Sequence, residues 1–360
     1  MGSISKECLS IGIEIETIFK VDTKRCYHGA GFDVDDVQEQ VREILEPMLD
    51  ELAVKHRELP SFGLEVYRDA SNIGGSREPQ EVGYGEGPQG EDDPDEQPYD
   101  PRTFSVQHNF VVGLDPSIQP DPSHSREEYG IEISTPAFTD QVWEKVIPVM
   151  MKYMRESGRF KFNETTGLHI HLGKGIENKF SFEEQSNISK AIVIFEKEMS
   201  TLHPERVPST GYGLRYYKLC TENPILKPLS TKQRIELIDS VHDSRKSNEW
   251  KSHKLENIMN HPSPSPSNLS AGSEKYYTYN LGSNRKYGTI EFRQAAATLD
   301  DDRILQWIDK ASLFTLQACK TGKERFLRLA DGIQTQDKID FGASSWEKPR
   351  AHIPGLSVPH

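Results

Sequence analysis

Apolar and polar positions alternate in four short segments of the chain. In IGIEIE (11–16), Ile11, Ile13 and Ile15 share one face of an extended chain, and Gly12, Glu14 and Glu16 share the other. GIEISTP (130–136) sets Ile131 and Ile133 around Glu132. TGLHIHLG (166–173) sets Leu168, Ile170 and Leu172 against His169 and His171, and TIEFRQ (289–294) sets Ile290 and Phe292 against Glu291 and Arg293. This period of two predicts four β-strands. Elsewhere the spacing is helical: Val37, Val41, Ile44, Leu45, Met48, Leu49 and Leu52 form one apolar stripe, with Pro47 marking a kink. Similar stripes predict helices over 142–154, 188–202, 234–241 and 304–316, their apolar sides serving core packing.

Two stretches break the pattern. Residues 77–100 are rich in Gly, Pro and acids, a composition that buries too little apolar surface to offset ordering entropy. Residues 261–274 repeat Pro and Ser and read as a flexible loop or a lid. The expected organisation is one domain over 1–330 carrying this flexible acidic insertion and Pro/Ser-rich loop, then a partly ordered C-terminal tail, 331–360.

Composition narrows the function classes. With 28% charged residues and a net charge of −13, the chain is a poor candidate for binding nucleic-acid phosphates. No apolar run is long enough to span a bilayer, and the N-terminus lacks the basic and apolar regions of a secretory signal. Cys8, Cys26, Cys220 and Cys319 are scattered without metal-ligand or disulfide spacing. A cytoplasmic protein with reduced thiols, and with neither nucleic-acid nor membrane partners, is the expectation.

The polar sides of the four strands carry Glu, His and Arg instead of the Thr, Lys and Ser of an ordinary wet sheet face. Carboxylates on adjacent strands repel one another unless a cation lies between them. Hard divalent ions such as Mg²⁺ or Mn²⁺ favour oxygen ligands, and Mn²⁺ also accepts imidazole. Glu14, Glu16, Glu132, Glu291 and a histidine form a candidate shell. Zinc fits less well, because HExxH and cysteine clusters are lacking. Arg293, on the same face as Glu291, is placed to neutralise a phosphoryl group beside a metal. In GYGLRYYKL (211–219), Arg215, Lys218 and Tyr217 suit either a carboxylate-binding subsite or a surface helix with snorkelling basic side chains.

The segments GIEIE, VYRDAS, GIEISTP, TGLHIHLG and YYTYNLGSNRKYGTIEFRQAAATLDDDRILQWI occur in this order over about 9–321. Through them the chain resembles the amidoligase family, whose catalytic domain is similar to glutamine synthetase and glutamate-cysteine ligase. The resemblance implies an α+β, glutamine synthetase-like catalytic domain, with a mostly antiparallel sheet forming a funnel-shaped site and helices packed behind. It also implies ATP and two or more divalent ions. Glu14 and Glu16 match the carboxylates given to two metal sites, and Glu132, His169 and Glu291 match further ligands. His171 matches a position near the nucleotide phosphates or substrate, and Arg293 a phosphate-binding arginine. Asp69 matches an acidic position of the family and joins His171 and Arg293 as a catalytic candidate. Asn280 and Arg285 fall in the YNLGSNRKYG match and are placed with the nucleotide.

The implied reaction is amide-bond formation between a small-molecule carboxylate and an amine, such as an amino acid or peptide, through an acyl phosphate. A guanidino-kinase-like phosphotransferase and a metal-dependent hydrolase are the alternatives on the same fold.

Overall fold

The computed structural model describes residues 9–25, 34–66, 109–124, 127–203, 218–261 and 277–344. The expectations for Asp69, Arg215, Tyr217, the 77–100 insertion and nearly all of the 261–274 loop fall outside these residues.

The strands are β1 (Ser10–Lys20), β2 (Gly63–Val66), β3 (Asn109–Leu114), β4 (Glu128–Ser134), β5 (Phe160–Lys161), β6 (Gly167–Gly173), β7 (Tyr279–Asn280) and β8 (Thr289–Ala296). They form one sheet in the order β2-β3-β4-β1-β6-β8-β7, with β5 pairing the far end of β1. Among the described residues only the β2–β3 pairing is parallel, so the sheet is mixed but mostly antiparallel. The four segments with strict alternation are its contiguous centre, β4-β1-β6-β8.

Alternation decides which way each strand faces. Ile11, Ile13, Ile15, Ile131, Ile133, Leu168, Ile170, Leu172, Ile290 and Phe292 are all buried on one side. There they join a continuous core with helices α1 (Val34–Lys55), α2 (Trp143–Ser157), α3 (Phe182–Ser200) and, further on, α4 (Leu219–Glu222), α5 (Thr231–Asp239), α6 (Asn248–Met259) and α8 (Asp301–Lys320), while the short α7 (Gly282–Tyr287) lies between β7 and β8. Burying each aliphatic side chain contributes about 1.5–3 kcal/mol. Along the helical layer α1 packs on α2, α2 on α8, α8 on α3, and α3 on α5. The architecture is α+β, with the helices backing the apolar face.

Local signals set the helix ends. Ser181 accepts from the Glu184 N–H while the Glu184 carboxylate accepts from the Ser181 N–H, a reciprocal cap that starts α3. Asp300 caps α8 through the Arg303 N–H. Gly158 ends α2 with φ 63°, in the left-handed region that favours glycine. Pro47 and Pro148 lie inside α1 and α2, and both helices continue through them. Beyond α8, helices α9 (Lys323–Asp331) and α10 (Thr335–Asp340) return the chain to the core, where Phe341 stacks on Phe195 with ring centroids 4.6 Å apart. Among the described residues no helix is long and apolar enough to cross a membrane.

One irregularity matters for the site. Ile170 pairs with Phe292 and Leu168 with Ala295, so β6 advances two residues where β8 advances three. The extra residue is a β-bulge, with Arg293 and Gln294 together opposite His169. Such bulges re-aim side chains near functional sites.

Candidate functional site

Strand register converts the separate polar faces into one cluster. Glu14 stands directly opposite His169, Glu16 opposite Glu132, and His171 opposite Glu291. Asn280 of β7 is opposite Glu291 from the other side. Neighbouring strands lie about 4.8 Å apart, which brings such side chains into contact.

Within the cluster, His169 Nδ1 is 3.1 Å from Glu14 Oε2 and His169 Nε2 is 3.3 Å from Glu16 Oε1. His171 Nε2 lies 3.1 Å from Glu14 Oε1 and 3.9 Å from Glu291 Oε1. Its other nitrogen, Nδ1, is 3.1 Å from Thr289 Oγ1. Arg293 Nη1 donates to Glu291 Oε1, with both side chains buried. Ser134 Oγ donates to Glu132 Oε1 at 3.3 Å.

Three groups of candidate ligand atoms each fall within 4.8 Å: Glu14/Glu132/His169, Glu14/His171/Glu291, and Glu16/Asp115/Glu132. The first two consist wholly of residues that alternation singles out. The third needs Asp115, which the sequence reading missed. It lies just beyond β3, two residues after Gly113, which pairs with Glu132. The available signal was VVGLD, in which Gly113 and Asp115 share a face but glycine carries no polar mark.

Electrostatics distinguish the acids. Burial works to raise Glu14, but the charge of His171 and hydrogen bonds from both histidines outweigh it and hold the carboxyl well below its usual range. Burial also opposes ionisation of Glu291, yet Arg293 and His171 bring it below the ordinary value. Glu132 is pushed well above the usual carboxylate range, first by burial and then by repulsion from Glu14, Asp115 and Glu16, which the weaker attraction of Arg293 does not offset. For His171, burial favours the neutral ring, but Glu14 and Glu291 raise its affinity for a proton.

The structure therefore gathers Glu14, Glu16, Glu132, His169, His171, Glu291 and Arg293. It does not bring Arg285 or Lys218 to them. Arg285 is more than half exposed and lies 3.5 Å from Glu256. Lys218 is exposed at the N-cap of α4, where its N–H donates to Glu222. Asn280 does reach the cluster, but as a donor to Glu291 Oε2 at 2.8 Å, together with Ser283 Oγ at 3.1 Å. Ser283 was not foreseen from the sequence.

As a ligand set this face fits a hard divalent cation. It offers five carboxylates and two imidazoles, no thiolate, and among its described residues a single guanidinium, Arg293. No curated protein matches the sequence at a significant level. The profile of the family described as "putative amidoligase enzyme" matches residues 7–314, spanning β1 to most of α8 and every residue of the cluster, and the chain belongs to that family.

Proposed function

We propose that the protein is an ATP-dependent carboxylate–amine ligase of glutamine synthetase-like architecture, which forms an amide bond through an acyl phosphate. The observation that carries this reading is the convergence of the five acids, two histidines and Arg293 on one sheet face, with ligand atoms in three groups within 4.8 Å. Family membership adds the reaction class, amide-bond formation.

The chemistry follows from the weakness of a carboxylate as an electrophile. Its oxygen attacks the γ-phosphorus of ATP and ADP departs. An amine then attacks the activated carbonyl carbon, loses a proton, and phosphate leaves. Glu14, Glu16, Asp115, Glu132, His169 and Glu291 would hold the divalent ions, Mg²⁺ or Mn²⁺. When bound, these ions supply charge neutralisation and alignment for the triphosphate. Arg293, fixed against Glu291, presents its planar fork to charge developing on the phosphoryl group. His171 is less buried than His169 and its ring meets Tyr287 edge-on, which supports a role for it toward phosphates or substrate. The substrates are small molecules, a carboxylic acid and an amine of the amino-acid or peptide kind, and the protein acts in the cytoplasm.

Incubation with ATP, Mg²⁺ and pooled acids and amines tests the proposal. ADP and an amide are expected only when an acid and an amine are both present. ADP formed with a single acceptor would indicate a kinase instead, and bond cleavage without ATP a hydrolase.

A further inference from the structure

The segment YNLGSNRKYG reaches the site in a way that its resemblance to a nucleotide-binding stretch does not account for. Asn280 Oδ1 accepts the Gly282 N–H at 3.0 Å, closing a tight turn between β7 and α7. That bond fixes which way the amide points. Its Nδ2 therefore faces Ser283 Oγ at 3.0 Å and Glu291 Oε2 at 2.8 Å. Ser283 Oγ accepts from Asn280 and donates its own hydrogen bond to the same Oε2, at 3.1 Å. The turn is closely packed: a Cβ at Gly282 would come within 3.1 Å of Asn280 Oδ1 and 2.8 Å of the Glu256 carboxylate.

The two oxygens of Glu291 are thus treated differently. Oε2 takes both donors from the turn. Oε1 contacts Arg293 and looks toward His169 Nδ1, at 3.7 Å, and His171 Nε2, at 3.9 Å. Turning both oxygens toward an ion would take this acceptor from the turn, leaving Asn280 Nδ2 with Ser283 Oγ alone and the Ser283 hydroxyl with no acceptor, which is costly for a group this buried.

We propose that Asn280 and Ser283 are positioning residues that occupy one oxygen of Glu291, so that it serves an ion through Oε1 alone. The proposal rests on the metal-dependent reading given above. A carboxylate restricted to one oxygen suits ions with octahedral, one-oxygen-per-ligand geometry, Mg²⁺ and Mn²⁺, and disfavours Ca²⁺, which uses bidentate carboxylates and higher coordination numbers. The turn is then a selectivity device built outside the ligand shell.

The test is calorimetric titration of the full chain with Mn²⁺ and with Ca²⁺, without nucleotide, for the wild type and for Asn280→Ala, Ser283→Ala and Ser283→Thr. Melting of the metal-free protein serves as the folding control. Wild type should prefer Mn²⁺. The two alanine variants should weaken Mn²⁺ by roughly 10-fold or more and Ca²⁺ by less, narrowing the preference, while Ser283→Thr keeps the hydroxyl and the wild-type preference. If Asn280→Ala fails to fold, the Ser283 pair decides. An unchanged preference, or an equal loss for both ions, in Ser283→Ala overturns the positioning role and leaves the metal reading intact. Failure of the wild type to bind Mn²⁺ overturns the metal reading itself, and the inference with it.

Discussion

Glu132, half-buried on the sheet face, and Glu196, buried in the helical layer, are both carboxylates whose affinity for a proton is raised, and they show two ways a protein can enclose an acid. Glu196 is met by donors: the Leu219 N–H and Thr278 hydroxyl on one oxygen and the Cys220 N–H on the other, all opposing the upward push of burial. Its setting joins α3 to the start of α4 and to the segment entering β7, and its role is to hold them. Glu132 accepts from the Ser134 hydroxyl but is otherwise met by other acids, and their repulsion adds to burial. A structural carboxylate attracts donors from the backbone, whereas one serving a cation is surrounded by groups that also want that cation.

The largest test of this contrast lies within the sheet cluster. Glu14→Gln and Arg293→Lys should each lower turnover of the proposed ligase by about 100-fold or more, the scale of losing one preorganised charge contact. The melting temperature of Arg293→Lys should stay close to wild type, because Lys keeps a charge beside Glu291, whereas Glu14→Gln gives up the ion pairs with His169 and His171 and should melt somewhat lower while still folding. Near-normal turnover in both would remove the site assignment. Glu291→Gln is a less clean probe than the sequence alone implies, since it strands the buried Arg293 and should also cost folding stability.

Next come paired amide substitutions in the two settings. Glu196→Gln must turn its NH₂ toward an N–H or hydroxyl donor, so it should destabilise the protein by about 1–3 kcal/mol without altering Mn²⁺ binding. Glu132→Gln should leave the metal-free protein as stable as wild type or more so, because a repelling group is removed, and should weaken Mn²⁺ binding. Thermal melts with and without Mn²⁺ measure both, and the same sign of stability change in the two variants would erase the distinction.

The smallest expected effect tests an ion cluster of a third kind, at the helix surface. Glu51 of α1 accepts from Lys55, and from Lys152 and Tyr153 of α2; the Lys55 bond leads in bringing its carboxyl down to about 2. A depressed folded-state value means that the stabilisation is present above the unfolded-state value and is lost as pH falls from near 4.5 toward 2. Solvent screening of the partly exposed lysines limits it to about 1 kcal/mol. Denaturation of Glu51→Gln at pH 7 and pH 3 should show a deficit at the higher pH that shrinks at the lower. A deficit independent of pH would mean that packing, not charge, joins α1 to α2 here.

The sequence shows phase, and phase is local. The alternation of Ile with Glu in β1 and β4, Leu with His in β6 and Ile or Phe with Glu and Arg in β8 identifies the core strands, the buried side of each, and seven members of the cluster. Register is not local. Nothing in IGIEIE says that Glu14 will face His169 and Glu16 will face Glu132, because that choice is made by pairing segments more than a hundred residues apart. Elements too short for a period were missed, including the two-residue β7 that presents Asn280 and the four-residue β2. β3 reads as a plain apolar run, which hid Asp115 at its end. Arg285 shows another limit: a motif match carries a residue's position along the chain but not the direction its side chain takes from a short helix, and here the side chain lies 3.5 Å from Glu256.

The bulge in β8 bears on how this sheet could change in length over evolutionary time. Inserting or deleting a residue inside a regular strand turns every later side chain over, and in β6 that would exchange His171 for an aliphatic neighbour. At Arg293–Gln294 the ladder already carries one residue too many. Loss of Gln294 would leave Leu168 still facing Ala295 and Ile170 still facing Phe292, with one residue on each strand between the two pairs. The bulge is thus a point where a one-codon deletion is compatible with the existing register, and what it would change is the bend that presents Arg293.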